Sequence, residues 1–408
     1  MFTPVFEKRP TKRGEEMASH YIFTSESVSA GHPDKLCDQI SDALVGHYLR
    51  QDPFASVVAE CAVSTGILFV SVKVAADAVV DIPNTAREII LDVGYDQGAF
   101  NGRTCTVMTS LSEMNGFRPR FDDTNDLAQL TAQENVTLFG YACAHTPDLA
   151  PLPIWCAHRL MRQYDRVRQE SLHYLAPDAK CQVGVAFTSH VPRRIDSITL
   201  LASQRDSRIS LATLRNDLME QVISPAFVDQ PFAPDDRTRI QINPEGAILE
   251  GGPALHAGLT GRKNGVDTYG GFSRQSGAAL SGKDPTRIDR VGAYAARHAA
   301  KNIVAAGLAE QCEVQLSYSI GIAEPVSVRV DTFGVGRIDD DTLTERVAAH
   351  FDFRPSGIIR RLRLRELAIM GNGNLYRQLA VYGHVGRSDL NLPWEATDEV
   401  EALRSWLR

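Results

Sequence analysis

No apolar run in this 408-residue chain approaches the roughly 18 residues that a membrane-spanning helix requires. The opening MFTPVFEKRPTKRGEE lacks the apolar centre of a secretory signal and reads as a flexible extension over 1–19. Cysteine is sparse: the seven residues (37, 61, 105, 143, 156, 181, 312) are odd in number, scattered and never spaced CxxC. That excludes a disulfide framework or a cysteine zinc site and fits a reducing cytoplasm. Basic charge is not in excess either. The net charge is −7, which argues against a nucleic-acid partner, so any anion site has to be a local basic cluster. Lysine is the scarcest charged type. Of 43 basic residues only those at 8, 12, 35, 73, 180, 263, 283 and 301 are lysine. Arginine is a planar fork and lysine a compact point charge, so a lysine in an arginine-rich chain hints at a geometric demand.

What is present is ordinary globular composition, 43% hydrophobic and 23% charged, enough for two or three domains. A strand at 21–28 leads through Gly31-His-Pro-Asp-Lys35 into a helix reaching about Arg50. Strand-like runs at 56–63 and 67–74 and a helix at 82–93 follow. The order recurs: helix 154–167, strands 181–187 and 197–202 joined through His-Val-Pro-Arg-Arg, helix 211–223. It recurs again: helix 289–306, strands 312–320 and 325–332, helix 343–351. The expected fold is α+β, with three similar helix–β-hairpin–helix subdomains in pseudo-threefold symmetry at 20–125, 126–251 and 252–408. Spare sheet faces would be buried between subunits. The stretches 101–130 and 229–267 read as long functional loops, and 371–394 as a loop before a short final helix.

The densest chemistry is Ser276-Gly-Ala-Ala-Leu-Ser-Gly-Lys-Asp-Pro-Thr-Arg-Ile-Asp-Arg290, which opens into an apolar helix. Small residues admit a ligand to the backbone, a helix N-terminus favours anions, and an Asp there can recruit Mg2+. A Gly/Ser loop that merely caps the helix would share this composition. Gly31-His-Pro-Asp-Lys35 and Gly258-Leu-Thr-Gly-Arg-Lys263 add further cations, and Glu60 is a carboxylate in mid-strand, costly unless paired or bound to a cation. His32, Lys35, Lys180, Arg262, Lys263 and Lys283 against Asp34 and Asp289 form an inventory suited to a polyphosphate. It is not a P-loop, because Gly282-Lys283 is followed by Asp.

These motifs resemble the S-adenosylmethionine synthetase family. The resemblance is carried by Phe23-Thr-Ser-Glu-Ser-Val-Ser-Ala-Gly-His-Pro-Asp-Lys35, Gly258–Lys263, Val266-Asp-Thr-Tyr-Gly-Gly271, Ser281-Gly-Lys-Asp-Pro285, Ala300–Gly307 and Tyr318–Pro325. It implies the fold of that family, a homodimer or dimer of dimers with sites between subunits, and attack of a nucleophile on C5′ of ATP. The released triphosphate would be hydrolysed to pyrophosphate and phosphate. It further implies His32, Lys180, Arg262, Lys263 and Lys283 as catalytic residues and Lys35, Asp178, Ala179, Gly246, Ile248 and Ala279 as ATP contacts. Asp34 and Asp289 would hold two Mg2+ ions per site and Glu60 a K+ ion.

The acceptor side departs from the family pattern. Lys73 stands where the family has Glu, Met114 where it has Gln, Glu134 and His256 where it has Asp, and Arg287 where it has Lys; Ile320 completes this side. Ile248 replaces the Phe that stacks on adenine. The expectation is an ATP-dependent adenosyltransferase acting on a methionine analogue or another nucleophile. Its rivals are an ordinary S-adenosylmethionine synthetase and a polyphosphate hydrolase or non-catalytic nucleotide-binding paralogue.

Overall fold

The computed structural model describes residues 19–114, 130–369 and 373–408. The proposed N-terminal extension falls almost wholly outside these, as does the second half of the 101–130 stretch. Three hairpins, each preceded and followed by a helix, organise the molecule. In chain order the elements are β1 (His20–Val28), α1 (Pro33–Gln51), β2 (Ser56–Ser64), β3 (Ile67–Ala75), α2 (Ile82–Val93), β4 (Thr106–Glu113) and β5 (Val136–Cys143). Then come α3 (Leu152–Glu170), β6 (Leu175–Thr188), β7 (Val191–Gln204), α4 (Leu211–Asp217), β8 (Arg239–Ile242), β9 (Ile248–Leu249) and β10 (Gly258–Leu259). The last set is α5 (Ile288–Ala305), β11 (Gln311–Tyr318), β12 (Ser327–Asp331) and α6 (Asp340–His350), followed by shorter helices.

The architecture is the expected α+β one, but each hairpin recruits a strand from elsewhere in the chain. The sheets run β1-β6-β7-β8 with β9 beside β7, β10-β2-β3-β4, and β12-β11-β5. Helices α1, α3 and α5 cover β2, β6 and β5/β11 respectively. The reason is visible in the alternation: Leu68, Val70, Val72 and Val74 of β3 point into the core while Ile67, Phe69 and Lys73 point out.

Several boundaries differ from the sequence reading: Val136–Cys143 is a strand it did not include, and 371–394, read as a loop, holds a helix at Leu375–Leu379. The 101–130 stretch contains β4, which pairs parallel to β3; Thr106–Glu113 is mostly exposed and carries little apolar alternation to betray it. The Val191–Arg194 stretch is strand rather than connection, because the turn is only Ser189 and His190, both at positive φ (46° and 68°). The 229–267 stretch holds three short strands, β8 to β10, that depend on β7 and β2 for partners. Among the described residues no helix is long and apolar enough to cross a membrane, and all seven cysteines are free and buried.

Candidate active site

The first cluster forms where β1 hands over to α1. His32 is the N-cap of α1, its Nδ1 accepting the Asp34 N–H at 3.2 Å, with Pro33 pre-setting the first turn. Gly31 has to be glycine for steric reasons, since a Cβ there would lie 2.3 Å from Pro177. This contact brings the β1–α1 turn against β6, where Lys180 pairs with Val28 across the ladder.

Glu26 is the centre of that corner. Its carboxylate takes Lys263 at 2.7 Å and also pairs with Lys180. Burial pushes its pKa up, and the two ammonium groups more than reverse this, leaving it below the usual range. Asp34 accepts Arg262 Nε at 2.7 Å and the Leu259 N–H at 2.9 Å. Asp178 Oδ2 accepts the Gly252 N–H at 2.8 Å and lies 2.9 Å from His256 Nε2. The His32 and His256 rings stand 5.0 Å apart. Burial pushes the His32 pKa down to about 4, so its ring is neutral at physiological pH.

The second cluster is the 280–290 loop, clamped onto β2. Gly282 donates to Asp42 Oδ1 at 2.8 Å and accepts from Ala59 N–H at 2.8 Å; the next residue but one, Asp284, accepts the Val57 N–H at 2.7 Å. Gly282 sits at φ +80°, and a Cβ would lie 2.0 Å from the Ala59 carbonyl oxygen, so the close approach requires glycine. Arg290, fully buried, grips Asp42 at 2.7 and 3.0 Å and donates to the Lys283 carbonyl at 2.9 Å. Lys283 Nζ is thereby presented 3.2 Å from Asp289 Oδ1, while Asp289 Oδ2 is buried with no hydrogen-bond partner among the described residues. Ala279 lies against Gly261, which ties this loop to the segment carrying Arg262 and Lys263.

The remaining residues are placed as follows. Arg287 meets the Met114 sulfur at 3.1 Å. Glu60 and Lys73 share the exposed face of β2–β3: Glu60 pairs with Ser71, and Lys73 is one rung pair away, opposite Val58. Glu134 is exposed, in a loop whose Asn135 accepts the Ile320 N–H at 2.8 Å, so these two stand together. Gly246 turns at φ +117° into β9, where Ile248 pairs with Ser203 of β7, and Ser203 in turn donates to the Asp178 carbonyl.

Two expected ATP contacts do not face the cleft. Lys35 is fully buried and its ammonium is held by Asp38 at 2.8 Å and by Asp267, because its position on α1 turns it into the interior. Ala179 is 3% exposed and its backbone groups are bonded to Ser29. Conversely, the sequence reading assigned no role to Glu26. The signal was there: an acidic residue between the buried Ser25 and Ser27, in a strand whose alternation turns it to the other face.

Two preorganised groups of cations, each balanced by carboxylates and one with an unsatisfied carboxylate oxygen, suit a highly charged anion accompanied by metal ions. Comparison with known proteins agrees. Residues 20–115, 129–248 and 250–396 match the models for the N-terminal, central and C-terminal domains of S-adenosylmethionine synthetase. The chain is 45% identical to the S-adenosylmethionine synthase of Acaryochloris marina, over 96% of this chain and 98% of that protein. It is 45% identical to that of Synechococcus elongatus (95% and 98%) and 44% identical to that of Trichodesmium erythraeum (95% and 97%).

Proposed function

The chain belongs to the S-adenosylmethionine synthetase family, a family of transferases, and from that premise we propose that it transfers the 5′-deoxyadenosyl group of ATP to the sulfur of methionine. The observation that carries this reading is Lys283 beside the half-satisfied Asp289 carboxylate on a rigid loop. A phosphate-binding ammonium and a cation-binding oxygen are thus held ready on one turn.

In the proposed step the S–C5′ bond forms and the C5′–O5′ bond breaks, with the electron pair leaving on the triphosphate. Water then cleaves the triphosphate to pyrophosphate and phosphate. Lys180, Lys263, Arg262 and Lys283 would donate to phosphate oxygens in exchange for the carboxylates that hold them in the free protein. Their positions are fixed beforehand, so little reorganisation accompanies the charge that develops on the leaving group. His32, neutral and buried, would act as a hydrogen-bond donor near the breaking bond. Mg2+ would neutralise triphosphate charge when bound. The free Oδ2 of Asp289 fits it, and Asp34 fits once Arg262 turns to phosphate. Glu60, with the Ser71 hydroxyl opposite, offers the oxygen donors a K+ ion takes.

We place the complete site between two copies of the chain. Support comes from the outward face of β3–β4, where Ile67, Phe69, Met108 and Leu111 are 51%, 42%, 52% and 59% exposed beside Lys73 and Glu60. A second copy would cover it, giving a homodimer or a dimer of dimers. The divisions 20–125, 126–251 and 252–408 remain our proposed units, each sheet closing across them.

A second reading, an acceptor other than methionine, is favoured by Lys73 on that face and by the Asp178–His256 pair, where the family resemblance expects carboxylates for an ammonium group. One assay separates the two. The protein is incubated with ATP, Mg2+, K+ and methionine, and products are read by mass spectrometry. S-adenosylmethionine with equimolar pyrophosphate and phosphate supports the first reading. ATP binding without it, together with adenosylation of another sulfur nucleophile, supports the second. Phosphate release from added triphosphate with no adenosylated product would defeat both.

A further inference from the structure

We propose that His32, Asp178 and His256 form a binding site for a transition-metal dication of the zinc class, distinct from the carboxylates assigned to Mg2+. One nitrogen of each imidazole and one oxygen of Asp178 lie within 4.8 Å of one another, the only such group of His, Cys, Asp or Glu among the described residues. The three side chains come from three separate parts of the chain: the cap of α1, strand β6, and the segment just before β10. They are not neighbours by helical or strand periodicity.

The three ligand atoms are close enough for an ion to draw them together. A tetrahedral ion with bonds of about 2.0–2.1 Å keeps its ligand atoms about 3.3 Å apart. The His256 Nε2 to Asp178 Oδ2 separation is 2.9 Å, so these two need only open slightly around an ion, while His32 closes in. A hydrogen bond between Asp178 and His256 would need no third member, yet the His32 ring stands 5.0 Å from that of His256.

Outer contacts support the ligands as metal sites require. Asp178 is anchored by the Gly252 N–H on its carboxylate and the Ser203 hydroxyl on its carbonyl. The Asp34 N–H, 3.2 Å from His32 Nδ1, orients that ring. Lys263, whose charge acts on His32, is balanced by Glu26, and Arg262 by Asp34. The side chains of His32 and Asp178 are 8% and 12% exposed and that of His256 is 38% exposed, which leaves one side open for a water or an exogenous ligand.

Ligand chemistry selects the ion. Two imidazoles and one carboxylate suit Zn2+, Co2+ or Ni2+, whereas Mg2+ prefers oxygen and retains its water. Because His32 also belongs to the proposed triphosphate site, occupancy here would couple to nucleotide binding. The site itself does not depend on which acceptor the enzyme uses.

The test is titration of Co2+ into the full chain, stripped by chelator and kept in excess Mg2+. The expected result is one tightly bound Co2+ per chain with visible d–d absorption, displaced by Zn2+ and not by Mg2+. His256→Ala and Asp178→Asn should each weaken it by about tenfold or more. His256 is partly exposed, so His256→Gln, checked by circular dichroism and by its denaturant midpoint, controls for misfolding. Absence of d–d bands in the folded protein would overturn the proposal. So would affinity unchanged in His256→Ala, or a sulfur-to-cobalt charge-transfer band, which would move the ion to a cysteine.

Discussion

Replacing Asp42 with asparagine should do more damage than any exposed ion-pair loss in this protein. Asp42 is fully buried on α1 and holds three donors: both terminal nitrogens of Arg290, at 2.7 and 3.0 Å, and the Gly282 N–H at 2.8 Å. Arg290 is likewise without exposure; it also donates to the Tyr294 hydroxyl at 3.0 Å and lies 3.9 Å over the Tyr376 ring. Burial alone would lower the Arg290 pKa, but Asp42 outweighs it and keeps the guanidinium charged. Asparagine preserves volume but removes the counter-charge and one acceptor. A buried charge left without its partner costs about 3–5 kcal/mol. Each 1.4 kcal/mol is tenfold in an equilibrium constant, so local opening should become at least about a hundredfold more frequent.

The cost should appear where the network attaches. Hydrogen–deuterium exchange should accelerate in the peptides containing Gly282 and Ala59, whose amides belong to the clamp, and the denaturant midpoint should fall. Arg290→Met combined with Asp42→Leu should recover much of the stability, because an apolar pair carries no desolvation penalty. It should not recover nucleotide binding, since the Lys283 carbonyl and Gly282 amide lose their tethers. A loss below about 1 kcal/mol in Asp42→Asn, within the range of a surface pair, would refute the argument that this ion pair locks the phosphate loop.

Three further outcomes are expected. Lys283→Ala should lower turnover by about a hundredfold or more while leaving circular dichroism unchanged, because among the described residues the side chain's ion pair is with Asp289 alone; activity within a few-fold of the parent would remove Lys283 from the machinery. Gly282→Ala should destabilise by about 1–3 kcal/mol and weaken MgATP binding, since the Cβ meets the Ala59 backbone rather than a movable side chain; unchanged calorimetric affinity would contradict this. Acid should destabilise the fold well above the carboxylate range. Burial holds His32 and His145 at about 4, and His158 and His384 well below their usual value. At neutral pH these rings are uncharged in both states. As pH falls below about 6.5 the unfolded chain takes up protons that the native rings refuse, so stability drops, by about 2 kcal/mol per group at pH 5. A denaturant midpoint independent of pH between neutrality and about 5 would refute this.

The hairpins and flanking helices were legible in the sequence because each carries its own periodicity. The 3.6-residue recurrence of α1 and the alternation of β3 need no partner to be read. Strands β4, β8, β9 and β10 were missed for the complementary reason: a short or exposed strand exists only as the neighbour of another; β5, buried and eight residues long, was missed although it pairs with β11. Glu26 was likewise read within a motif but without a role, because nothing local shows that Lys180 and Lys263 converge on it. Lys35 erred in the opposite direction, since a lysine beside His and Asp at a helix start reads as a ligand contact until the helix orientation buries it.

The sequence by itself determined the inventory: which cations, carboxylates and glycines are available, and the order of helix–hairpin–helix units. Those follow from residue type and from interactions spanning a few residues. Only the tertiary structure decided which of them meet. Pro177 resting on Gly31 joins β6 to the start of α1, Asp42 and Ala59 hold Gly282, and His256 arrives at Asp178 across 78 positions of chain. Such pairings are set by how the sheets recruit distant strands and by the close backbone approach glycine allows, neither of which any local pattern encodes.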